Sequence, residues 1–268
     1  MSKSTQSEAL ERIQAAIEQS KRVLSRYTPG DIAAEYKAGH DPVTEADKEL
    51  DTLLRKHLLR AGEGWLSEES ADDRSRLGRE RVWVVDPLDG TRELVEGIPE
   101  FCVSIALVER GRPVAGGICN PATGEVFLGS VDSGITYNGS PTRVSDRSSL
   151  RGSTVLASRS ETKRGEWKAF ENAPFKVVPT GSVAYKLARV AAGLADATFT
   201  LSPKHEWDIA GGTALVLSAG GHVQLPDGSE LVCNRERPLV SGLVACGSQI
   251  KSELLRFLSP HIHAVAQR

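Results

Sequence analysis

The chain lacks most of what would assign it to a specialised physical class. Its 268 residues contain no apolar run near the roughly 18 needed to span a bilayer, so no membrane segment is expected. The opening stretch MSKSTQSEALERIQ has no apolar core of the kind a signal peptide needs. Lys and Arg number 33 against 35 Asp and Glu, and a net charge of -2 gives no case for a nucleic-acid polymer or a charged membrane as partner. Cysteine is scarce: Cys102, Cys119, Cys233 and Cys246 show no C-x-x-C and no metal-finger spacing. Three of them sit among apolar residues, which predicts buried free thiols in a reducing cytoplasm. Internal repeats and low-complexity tracts are absent, and no serine or cysteine stands out as a nucleophile.

What remains is ordinary globular material, 40% hydrophobic and 25% charged, enough for one large domain or two smaller ones. Residues 8–26 carry Leu10, Ile13, Ile17 and Leu24 at helical spacing, and a second helix begins at Thr44 with Leu50, Leu53, Leu54 and Leu58 on one face. Residues 37–43 read as a loop or short hairpin. A hairpin is expected about residues 109–113, between strands 101–108 and 114–119. Residues 1–148 thus read as two helices beside a mainly antiparallel sheet. Past a polar stretch at 145–153 the texture alternates, with strands near 154–157, 175–178, 197–201 and 239–245 and helices near 161–171, 182–192 and 207–219. Residues 149–268 therefore read as an α/β half with some parallel pairing.

The chemistry concentrates in residues 82–91, Val-Trp-Val-Val-Asp-Pro-Leu-Asp-Gly-Thr. Val82–Val85 reads as a buried strand that Pro87, lacking an N–H, is expected to stop. Asp86 and Asp89 would then converge across a tight turn, with the amides of Gly90 and Thr91 facing the same point. Two carboxylates and free amides suit a divalent cation holding a phosphate, while a plain polar turn explains the same residues. Three other acidic segments carry similar double readings. Thr44-Glu-Ala-Asp47 fits a helix-start capping box as well as a site. Glu68 and Glu69 read equally as solvated surface charges, and Asp208 as a helix cap.

Taken together, Thr44-x-x-Asp47, Glu68-Glu-Ser70, Asp86-Pro-Leu-Asp-Gly-Thr91 and Trp207-Asp208 closely resemble the inositol monophosphatase superfamily, lithium-sensitive and Mg²⁺-dependent phosphomonoesterases. The resemblance covers nearly the whole chain. It implies a layered α/β/α/β/α sandwich and a homodimer, with two or three Mg²⁺ ions between the halves. By motif, Glu68, Asp86 and the Leu88 carbonyl would hold one metal, and Asp86, Asp89 and Asp208 a second. Asp47 and Thr91 would orient and help deprotonate the attacking water, beside Glu68, with Gly90 and Thr91 on the phosphate. The donor chemistry agrees, because Mg²⁺ prefers carboxylates and phosphate oxygens and no His or Cys cluster competes. A non-catalytic relative that only binds phosphorylated ligands would be expected to lack some of these carboxylates, and none is lacking.

Within the superfamily, Arg92-Glu-Leu94 and Glu100-Phe101 are similar to the 3'(2'),5'-bisphosphate nucleotidase branch. Ser158-Arg-Ser160 is also similar, although Glu161 replaces that branch's His, and so is Gly181-Ser182 with Lys186, in a shifted spacing. Leu201 stands where inositol monophosphatases usually place a Glu that contacts inositol hydroxyls. Arg159, Ser182, Lys186 and Lys204 become the substrate-side candidates, the cations meeting a second phosphate. The expected substrate is the small molecule 3'-phosphoadenosine 5'-phosphate, with inositol-1-phosphate or another sugar phosphate as the alternative.

Overall fold

A computed structural model describes residues 5–36 and 42–266, with side chains to residue 262. Of the loop or short hairpin expected at 37–43, residues 37–41 lie outside the described residues, and Glu35–Tyr36 and Pro42–Val43 pair as antiparallel strands on either side of them.

Alternation along the strand Arg81–Asp89 sets the layering. Val82 and Val84 bury on one face of a seven-stranded sheet, Trp83 and Val85 on the other. Helices α1 (Thr5–Leu24) and α2 (Glu45–Leu58) cover the second face, where Ile13, Ile17, Leu50 and Leu54 meet Trp83, Val85 and Ile105. Five-residue α3 (Thr91–Val95) and α4 (Arg159–Lys163) follow, then α5 (Val183–Ala191) and α6 (Glu206–Ser218). The last two form the middle layer, with Leu187, Ile209 and Leu215 packed between Val82 and Val84 of the large sheet and Leu156 and Leu243 of a five-stranded one. The far face of the small sheet packs Phe199 and Val244 against Trp167, Phe170 and α7 (Lys251–Ala266). This is the α/β/α/β/α sandwich.

In the large sheet, Gly64–Ser67 pairs parallel with Arg81–Asp89 and the remaining strands are antiparallel in chain order. In the small sheet, Thr154–Ser158 lies parallel to both Lys176–Thr180 and Ala197–Thr200. Paired glycines permit the close stacking. A Cβ on Gly117 would lie 2.2 Å from Ile13, and one on Gly212 would lie 2.3 Å from Leu187. All four cysteines are buried and unpaired.

Three expectations about element boundaries are corrected. Pro87 does not end its strand, which continues to Asp89 through a bulge: Asp86 pairs with Ser104 and Asp89 with Cys102, so one extra residue is accommodated where proline offers no N–H. The helix expected over 161–171 divides into α4 and a 3₁₀ turn at Glu166–Phe170, because Gly165 between them is left-handed, at φ 82°. The strand expected over 239–245 divides into Leu239–Val240 and Leu243–Cys246.

Candidate active site

The bulge builds the site. It buries Asp86, turns the Leu88 amide onto Asp86 Oδ1 at 3.0 Å, and brings Asp89 back toward the same cleft. Because Gly64–Ser67 runs parallel to this strand, both end at the same edge, and Glu68 follows with its amide 3.4 Å from the Val85 carbonyl. Asp208 arrives from the first turn of α6, its Oδ2 accepting from the His205 amide at 2.9 Å. Carboxylate oxygens of Glu68, Asp86 and Asp208 thus all lie within 4.8 Å of one another. Asp89 lines the cleft beside them, and its Oδ2 accepts from Ser182 Oγ at 2.7 Å and the Ala184 amide at 2.6 Å.

A second chain of contacts flanks this group. Thr91 Oγ1 is 2.9 Å from both Asp47 Oδ1 and the Leu88 carbonyl, while Asp47 Oδ2 accepts from the Thr44 amide at 2.7 Å and the Thr44 hydroxyl at 2.6 Å. Asp47 therefore serves the helix start and the cleft together, and neither reading of that segment excludes the other. Gly90 holds the turn at φ 96°, where a Cβ would lie 2.9 Å from the Glu100 carbonyl. Gly90 and Thr91 border a cleft of about 510 Å³.

The electrostatics of the group ask for a cation. Burial first, then the like charges of Glu68, Asp89 and Asp208, hold Asp86 well above the usual carboxylate range. Asp208 is pushed up to about 8 by burial and by its neighbours Asp89 and Glu68, and Asp47 and Asp89 are also raised, chiefly by burial. An all-oxygen set that repels itself this strongly fits a hard divalent ion, and among the described residues no other three His, Cys, Asp or Glu side chains come as close together.

The substrate-side candidates do not all face the cleft. Arg159 is committed to Glu100, its Nη2 at 2.6 Å, and lies outside the cleft lining. Lys186 is buried, with Nζ donating to the Ser182 and Thr180 carbonyls at 2.8 and 3.3 Å, so it acts on Asp89 through its charge and does not face the cleft. Ser182 holds Asp89 and is likewise absent from the lining. Leu201 lies outside the lining too. Lys204 does line the cleft, clamped 3.3 Å from buried Glu161, which also accepts from Thr200 at 2.7 Å and from the Trp167 indole at 3.2 Å. Sequence reasoning registered Glu161 only as a departure from a motif. It quoted Arg92 and Glu93 only within a branch motif and gave the cleft-lining residues Arg164 and His205 no role; burial raises Glu93 to about 6.

The model of the inositol monophosphatase family matches residues 5–263 of this chain. The chain belongs to the inositol monophosphatase family. Inositol monophosphatase 3 of Solanum lycopersicum is 34% identical over 238 residues, covering 84% of this chain and 87% of the relative. The Nus factor SuhB of Pseudomonas aeruginosa is 31% identical over 250 residues, covering 86% and 88%. Among solved structures, the inositol monophosphatase from Anabaena (Nostoc) sp. PCC 7120 superposes with a TM-score of 0.77 at 30% identity, covering 93% of this chain and 94% of that one. Family membership makes the chain a phosphatase of the phosphomonoesterase class, and its cleft carries an acidic cluster that could hold a metal ion.

Proposed function

We propose that this chain hydrolyses a small phosphate monoester with Mg²⁺ held by Glu68, Asp86, the Leu88 carbonyl, Asp89 and Asp208. The observation that carries the reading is the convergence of three carboxylates from three separate elements within 4.8 Å, beside the Asp47–Thr91 pair. Bound there as two or three ions, Mg²⁺ would supply positive charge against the phosphate oxygens and acidify the attacking water. The chain's own residues do the rest. The Thr91 hydroxyl donates to Asp47, leaving its lone pairs to orient a water, and Asp47, with its raised pKa, is placed to take up the proton. The amides of Gly90 and Thr91 are available to a phosphate oxygen. Thr44 fixes the Asp47 carboxylate so that it does not swing away.

For the ester itself the reading is 3'-phosphoadenosine 5'-phosphate. Lys204, Arg92 and Arg164 line the cleft and supply cations for a second phosphate. Inositol-1-phosphate is the second reading, favoured by the names of the relatives and by the engagement of Arg159 and Lys186 away from the cleft. Phosphate release from nucleotide, inositol and sugar phosphates, with and without Mg²⁺ and Li⁺, tests both. A marked preference for inositol-1-phosphate retires the nucleotidase reading, and inertness toward the whole panel retires the enzyme in favour of a phosphate-binding protein. The unpaired thiols accord with a reducing cytoplasm, and no helix among the described residues is long and apolar enough to cross a membrane. Like the reading itself, a cytoplasmic homodimer is part of the proposal.

A further inference from the structure

One ring pair in the cleft has no part in holding metal or activating water. The imidazole of His205 lies parallel to the Trp207 indole, centroids 4.3 Å apart and planes within 2°. Both rings line the cleft that holds Asp86, Asp89 and Asp208, and His205 is exposed while Trp207 is half-buried. Trp207 is packed against the core beneath, so it fixes the tilt of the imidazole above it. The His205 backbone is fixed as well: its amide is bonded to Asp208, and residues Lys204–His205 pair with Leu239–Val240. The outcome is a preset flat surface at the cleft mouth, flanked by the ammonium of Lys204.

We infer that His205, positioned by Trp207, is a specificity residue that stacks on a planar ring in the substrate's leaving group. Such a surface gives a polyol's hydroxyls no directional partner, but it suits any aromatic base irrespective of its hydrogen-bonding edge. The inference rests on the phosphomonoesterase reading of the cleft and deepens it toward a nucleotide.

Ribose 5-phosphate and adenosine 5'-monophosphate present the same phosphate and differ in the ring, so their binding, measured by titration calorimetry with Mg²⁺ present, isolates the stack without requiring turnover. Base stacking on an aromatic side chain predicts that the adenosine compound binds the wild-type protein about five- to 150-fold more tightly. His205→Ala should close that gap, leaving ribose 5-phosphate affinity unchanged, and His205→Phe should keep it open. Equal affinities in the wild type, or a gap that survives His205→Ala, overturns the inference. A parallel loss of both affinities in the alanine variant, without rescue by phenylalanine, assigns His205 a purely structural role and overturns it too. Failure of the phosphatase reading is recorded separately, as absence of phosphate release from any ester.

Discussion

Replacing Asp208 by Asn gives the sharpest view of the acidic group, because the amide keeps an oxygen for the His205 amide while removing the charge. In the folded, metal-free protein Asp208 is held at about 8 against an ordinary 3.8. The unfolded chain therefore gives up this proton roughly four pH units before the folded one. The resulting penalty is absent below the unfolded value, grows as pH rises, and is complete once pH passes the folded value. At about 1.4 kcal/mol per unit the full span is on the order of 6 kcal/mol. Water in the open cleft screens the charges, so a measurable penalty of about 1–3 kcal/mol is expected. Asp208→Asn carries no such penalty. At pH 8 without metal it should melt above wild type by roughly 2–12 °C, taking about 2–4 °C per kcal/mol for a chain of this size. Near pH 3.5, about the point where the unfolded chain also keeps its proton, the two should nearly coincide. Saturating Mg²⁺ reverses the order: wild type gains about 2.7 kcal/mol at a hundredfold excess over Kd, whereas the variant, short of one ligand charge, gains less and loses turnover. Thermal melts at both pH values, with Mg²⁺ and with chelator, decide the matter. If the variant melts below wild type at pH 8 in chelator, or keeps the full Mg²⁺ shift, the carboxylates do not repel one another as described.

Other perturbations reach different parts of the site. Thr91→Val removes the hydroxyl bonded to Asp47, to which the proposal gives the orienting of the water, and should lower kcat by about 10²–10⁴, with the Mg²⁺-induced rise in melting temperature preserved. Gly212→Ala places a methyl where Leu187 already lies at 2.3 Å, and denaturant titration should show a loss of about 1–3 kcal/mol. Activity should fall with it, since α5 begins with the residues that hold Asp89. Lys204→Met keeps the stem and removes the charge, so KM for a bisphosphorylated nucleotide should rise more than KM for a monophosphorylated ester, an effect that fades at high salt.

The sequence by itself determined which acidic residues were candidates for one site, and the reason is locality. Asp86, Asp89, Gly90 and Thr91 fall within six residues, so their chemistry and their nearness were readable together, and Asp47 and Asp208 were marked by helix starts. The layered architecture was implied only by the resemblance of the combined motifs to a known family; the run Val82–Val85 marked a buried strand, and the structure assigned its side chains to alternate faces. Only the tertiary structure decided that Glu68 and Asp208 meet Asp86, through a parallel strand pair and the crossing of α6 beneath the cleft. It also decided the fates of the basic residues. Arg159 is claimed by Glu100, Lys186 by the carbonyls of its own helix start and Lys204 by Glu161, partners that are in two of the three cases more than forty residues distant. A cation's role depends on which acceptor reaches it first in three dimensions, and no spacing along the chain records that. The bulge at Pro87 belongs with them: proline announces an interruption, but only the register against Ser104 and Cys102 shows the strand absorbing it and turning Asp89 inward.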